Sequence, residues 1–172
     1  MHTMGETEGL PAAVPWGPEI RKLTEDEAIE ILERNRVGRL ALARANRVDI
    51  APIHYVYHDG WLYGRTSPGT KLEMAGPDWW PVAFEVDEVE GLFDWRSVVV
   101  HGGFYALDPE RAGQAEAYQT ALEQVRRIMP DALTDQDPVP ERSVLFRIAV
   151  QEVDGRRSEP HSGSAEEKKD VD

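Results

Sequence analysis

The stretch VDIAPIHYVYHDGWLYGRTSPGTKLEM, residues 48–74, decides the fold. Residues 48–57 are rich in β-branched and aromatic side chains, the composition of a strand. His58-Asp59-Gly60 follows, and an Asp-Gly pair between two such runs signals a tight hairpin, whose turn positions need positive φ. Residues 61–66 (WLYGRT) then form the returning strand, broken by Ser67-Pro68-Gly69. Thr70 to Ala75 reads as a short helix ended by Gly76-Pro77.

Upstream, Thr24-Glu25-Asp26-Glu27 is a capping box, and Ala28, Ile31 and Leu32 continue at helical spacing, predicting a helix over 25–35. The period then changes to two, giving a strand over 38–44 and a tight turn at Ala45-Asn46-Arg47. Downstream, Val82, Phe84 and Val86 alternate with Ala83, Glu85 and Asp87 as a half-buried strand. Residues 94–107 form a long strand whose Gly102-Gly103 pair suggests a bulge. Asp108 reads as the N-cap of a helix with Pro109 in its first turn, an apolar stripe from Ala115 to Met129, and a stop at Pro130. Val144, Phe146, Ile148 and Val150 give the last strand. Six strands in meander order with helices between them predict a mainly β protein, a six-stranded antiparallel barrel with α additions.

The leader 1–18 lacks periodicity and carries Pro11, Pro15 and Pro18, so it reads as flexible. Residues 155–172 have one large aliphatic side chain, Val171, and read as a disordered polar tail, because ordering them would bury too little surface. The working domain is 19–154.

With 32 acidic against 19 basic residues the net charge is −13, a sign that repels phosphate backbones and anionic membranes. Neither nucleic acid nor a membrane is therefore an expected partner, and any anion site must be built locally. The absence of cysteine excludes disulfides, thiolate metal sites and a cysteine nucleophile. The start of the chain has neither the basic end nor the apolar run of a signal peptide, so the expected location is cytoplasmic.

Arg65-Thr66-Ser67-Pro68-Gly69-Thr70-Lys71 puts two cations and three hydroxyls at a strand end that turns into a helix start. Those are the groups a phosphate monoester needs, and a helix N-terminus adds to them. The same composition also suits a polar surface turn.

The runs VGRLALA (37–43), IAPIHYVYHDGWLYGRTSPGTKLEM (50–74) and VAFEVDEVEGLFDWRSVVVHGGFYAL (82–107) resemble the pyridoxamine 5'-phosphate oxidase-like FMN-binding split-barrel family. The closest branch is the one that includes the nitroimidazole-resistance proteins, and the resemblance covers about 24–108. It implies a split barrel that binds FMN at the two-fold interface of a homodimer. Ala51, Pro52, Ile53 and His54 fall on the strand that lines the isoalloxazine ring in that family. Arg65 and Thr66 fall at the strand end that meets the phosphate, and Lys71 at the phosphate lysine. Arg96 and Ser97 match a pair near the flavin that is often Arg-Gln. The oxidase activity itself goes with a C-terminal Arg-Leu segment, where this chain reads RIAVQEVDGRRSE (147–159), so vitamin substrate binding does not carry over.

His54 is the candidate catalytic side chain, since an imidazole beside a flavin can donate a proton to a reduced product; a histidine satisfied on a barrel face is the alternative. His101 shares a face with Trp95, Ser97 and Val99 by period-two counting and reads as structural. Tyr55 and Tyr57 read as core or interface, and Trp79, Trp80 and Trp95 as core or dimer contacts that can also close a flavin pocket. His2, His58 and His161 lie in a tail or a turn, so a metal site is not expected. The function implied is an FMN-dependent oxidoreductase acting on a small electron-poor substrate, nitroreductase-like in kind. The alternatives are a flavin-binding redox or sensor module without turnover, or a split barrel using deazaflavin or haem.

Overall fold

The computed structural model describes residues 17–69 and 79–161. Ten elements follow in chain order: β1 (Glu19–Lys22), α1 (Glu25–Arg34), β2 (Val37–Arg44), β3 (Arg47–His54), β4 (Val56–His58), β5 (Trp61–Thr66), β6 (Trp80–Gly91), β7 (Asp94–Ala106), α2 (Ala115–Arg126) and β8 (Val144–Glu159). The strands form one antiparallel sheet in the order β3-β2-β6-β7-β8-β5-β4, with β1 added beside β8.

Local chemistry sets most boundaries. Thr24 Oγ1 accepts from the Glu27 amide at 3.2 Å while Glu27 accepts from the Thr24 amide at 2.8 Å, so the capping box forms as read. The two hairpins turn on Ala45-Asn46 (φ 48 and 62) and Asp59-Gly60 (φ 46 and 79), the paired positive values a two-residue turn demands. Register shifts between His101 and Gly102, which is the expected bulge.

Three readings are corrected, and a fourth falls where nothing tests it. Eight strands are present among the described residues, not six, because β1 precedes the first helix and the run 48–57 breaks at Tyr55 into β3 and β4. The second helix starts at Ala115: Asp108 Oδ1 instead accepts from the Glu110 amide in a turn, and Gly113 at φ +80 separates that turn from the helix. The last strand runs through Glu159, past the expected boundary at 154, since residues 155–159 pair with β7 and β1. The helix expected at Thr70–Ala75 lies outside the described residues.

Strand alternation produces two cores. The larger fills the barrel with Leu40, Phe84, Val98, Phe104 and Phe146, closed by Ala28, Ile31 and Leu32 of α1. Within it the ring of Tyr55 meets Phe84 edge-on at 4.9 Å, and its hydroxyl donates to the Leu32 carbonyl at 2.8 Å. The smaller lies on the opposite face of β5 and β8, where Tyr63 and Leu145 meet Ala121 and Val125 of α2. No helix among the described residues is long and apolar enough to cross a membrane.

Candidate functional site

β3 stands at one end of the sheet order, with β2 as its only strand neighbour among the described residues. Pro52 is consistent with this position, because a residue without an N–H is tolerated on an edge strand and not in a sheet interior. Of the four predicted residues on β3, Ile53 is buried in the barrel, Ala51 is half-buried, and Pro52 and His54 are exposed on the outer face.

The C-terminal ends of β3 and β5 meet at a corner. A Cβ on Gly64 would lie 3.0 Å from the His54 carbonyl oxygen and 2.5 Å from the Phe146 ring, so only glycine lets the two backbones approach this closely. That contact brings His54 next to the strand end carrying Arg65 and Thr66, and the chain leaves it through Ser67, Pro68 and Gly69. Gly69 has φ +72, a conformation that favours glycine.

Arg65 sits differently from a phosphate ligand. Trp61, Tyr63 and Arg65 share the face of β5 that packs on α2. There both carboxylate oxygens of Asp137 accept from the guanidinium, at 2.5 and 2.9 Å. The side chains of Arg65 and Asp137 are 6% and 1% exposed. The Arg142 carbonyl at 3.3 Å and Met129 Sδ complete the guanidinium's surroundings. Arg65 holds the Asp137 carboxyl well below its usual range, helped by the Leu133 and Val139 amides. Thr66 is buried at the strand end, and Lys71 lies outside the described residues.

Arg96 and Ser97 point to opposite faces of β7. Ser97 lies on the outer face, its hydroxyl donating to Glu85 at 3.3 Å, beside an Arg39 guanidinium that bonds Glu85 at 2.8 Å and also Asp87. Arg96 points to the α1 side, 3.7 Å from Glu88, into a cavity of about 730 Å³ shared with Arg34 and Arg157. Glu88 also accepts two bonds from Arg34, at 2.7 and 2.6 Å, and one from Asn35 at 2.7 Å, which together hold its carboxyl below the ordinary range. Three strand spacings, roughly 14 Å, separate Ser97 from His54. One chain therefore brings β3 and β5 together and leaves Ser97 apart.

The outer face is also apolar where β3 begins. Val48 and Ile50 are each 67% exposed, with Ala43 and Ala41 opposite them on β2. Trp79, 48% exposed, covers Gly103, where a Cβ would meet its indole at 1.9 Å. His101 is exposed on this face opposite Ala83. Sequence reasoning did not single out Arg39, Glu85 and Asp137 as site residues; the alternation of β2 and β6 would have placed the first two opposite one another.

An antiparallel barrel left open beside an edge strand, with two strand ends meeting at a hydroxyl-bearing turn, defines the split-barrel class. The pyridoxamine 5'-phosphate oxidase family matches residues 24–157, and the chain belongs to it, as one of the oxidase-like flavin-binding split barrels. It is 33% identical to a FAD-binding protein from Mesorhizobium loti, covering 83% of this chain and 99% of that one with a TM-score of 0.62. Two others share the fold at lower identity. A candidate 5-nitroimidazole antibiotic resistance protein from Bacteroides thetaiotaomicron is 13% identical, with coverage of 91% and 96% and a TM-score of 0.59. A FAD- and haem-binding protein from Mycobacterium smegmatis is 16% identical, with coverage of 79% and 72% and a TM-score of 0.53. No curated protein matches.

Proposed function

We propose that the chain binds FMN at the corner of β3 and β5 and acts as a flavin-dependent oxidoreductase on a small electron-poor substrate. The observation that carries this reading is the approach of the His54 carbonyl to Gly64, which joins the edge strand to the turn after Thr66. The residues fit a flavin in three respects. A β edge offers backbone donors and acceptors to the polar rim of the ring. The outer face offers apolar surface for the ring itself. The hydroxyls and amides of 66–69 would hold the ribityl phosphate, with Lys71 as the cation assigned by family resemblance. Arg65 does not fit that role, because its side chain is buried and both terminal nitrogens are bonded to Asp137.

When bound, flavin supplies the capacity to accept and pass on electrons; the protein's part is to bind, orient and shield it. His54, exposed at the corner, can hand a proton to a reduced product. A homodimer completes the site in this reading: the exposed Val48 and Ile50 give an isologous interface its apolar surface, and a partner is the source of the Ser97 side that one chain leaves distant. The location we propose is cytoplasmic.

The test is titration of the purified protein with FMN and riboflavin, followed by chromatography of the flavin released on denaturation, which separates FMN from FAD. Quenched flavin fluorescence with tighter binding of FMN than of riboflavin is expected. Bleaching by a nicotinamide donor and reoxidation by a nitroaromatic would then favour an enzyme over a passive carrier. A protein that binds neither flavin, or that carries a haem Soret band instead, overturns the proposal.

A further inference from the structure

The segment between α2 and β8 has no regular structure, yet it is pinned from one point. Asp137 accepts four hydrogen bonds: two from Arg65, one from the Leu133 amide at 2.7 Å and one from the Val139 amide at 3.0 Å. Leu133 has φ +58, a conformation that a branched side chain adopts only where its surroundings enforce it. The far side of the clamp is the last turn-facing stretch of β5. Arg65 pairs with Leu145 and Thr66 with Val144, so the loop's exit runs beside the phosphate turn of the proposed site. Arg65 also donates to the Arg142 carbonyl at 3.3 Å, tying the same exit.

A buried ion pair is a poor way to gain stability, because apolar residues of the same volume usually serve as well, whereas a fixed geometry is what it enforces. We propose that Asp137 is a positioning residue for the phosphate end of the cofactor: through Arg65 it fixes the exit of β5 and couples the 131–142 loop to the turn at 66–69. The guanidinium does not touch the ligand. The inference rests on the flavin reading above.

Two measurements test it. In the wild-type protein, backbone hydrogen exchange is followed with FMN and with riboflavin. FMN is expected to slow exchange at 65–69 and also across 131–142, and riboflavin to leave the loop unchanged. Protection confined to 65–69 overturns the proposal without any variant. Second, Asp137→Asn is expected to cut the preference for FMN over riboflavin at least tenfold, while riboflavin affinity stays within about twofold. Equal losses for both ligands would mark a purely structural role and overturn it. Should that variant fail to fold, the charge-free pair Arg65→Met with Asp137→Leu, which leaves no buried charge unpaired, is read in the same way. A wild-type chain that binds no flavin fails the underlying reading instead, which separates the two.

Discussion

At Gly102 a side chain as small as that of alanine would place its Cβ 1.8 Å from the Ala149 carbonyl oxygen, a backbone atom of the neighbouring strand. No rotamer relieves such a contact, so Gly102→Ala must shift β8 against β7 at the bulge. Overpacking of this kind costs about 1–3 kcal/mol. A fall in Tm of roughly 2–10 °C is expected for a domain of this size, read by calorimetry. Gly69→Ala, where φ is +72 and an added Cβ meets none of the described atoms within 4 Å, should lose only the smaller conformational cost. The Gly102-Gly103 bulge was legible in sequence because paired glycines inside a strand have few other uses. The partner of Arg65 was not. Alternation assigns Arg65 the face of Trp61 and Tyr63, but Asp137 lies 72 residues away in a proline-rich stretch without periodicity, and nothing local announces it.

Among the elements, α1 shows how far short-range chemistry reaches. Its N-terminus lies at the capping residue because Thr24 and Glu27 satisfy each other's amides, a bond set complete within four residues. Thr24→Ala is expected to lower stability by about 1 kcal/mol and Thr24→Ser to leave it nearly unchanged, as measured by denaturant unfolding. Elements whose ends depend on distant partners were less legible. Asp108-Pro109 carries the same kind of signal as Thr24, yet the turn it caps stops at Gly113, and α2 begins only at Ala115, on a helix held by Ala121 and Val125 in the second core. β8 continues through a polar run because β7 on one side and β1 on the other supply its hydrogen bonds, a support that composition does not report. The corner of the site was legible to the same degree. The two strand ends could be read from residues 48–66, but their meeting depends on Gly64 accepting the His54 carbonyl, a tertiary contact.

For the whole molecule, two charge-dependent outcomes follow. Ile50 is exposed, so Ile50→Asp should leave the fold of a single chain intact while dividing the proposed homodimer, seen as a halved mass in light scattering together with weakened FMN binding. The second concerns pH. Asp137 is held below its ordinary range by Arg65, Glu88 by Arg34, and Glu27 at about 2 by Arg21 and the Thr24 amide. Each of these carboxyls binds a proton less readily folded than unfolded. Between the two pKa values the unfolded chain therefore holds more protons, and stability falls as pH falls. That contribution is complete above about pH 5 and is lost progressively below about pH 4. Tyr55 acts in the opposite sense. Burial raises its phenol, so above about pH 10 only the unfolded chain gives up the proton and stability declines again. The denaturation midpoint is expected to be level between these limits and to fall on both sides. Asp137→Asn should make the acid limb shallower, with Glu27 and Glu88 keeping the rest of it, and Tyr55→Phe should do the same to the alkaline limb, where burial also raises Tyr63. An acid limb as steep in Asp137→Asn as in the wild type would show that the Arg65–Asp137 pair does not carry that linkage.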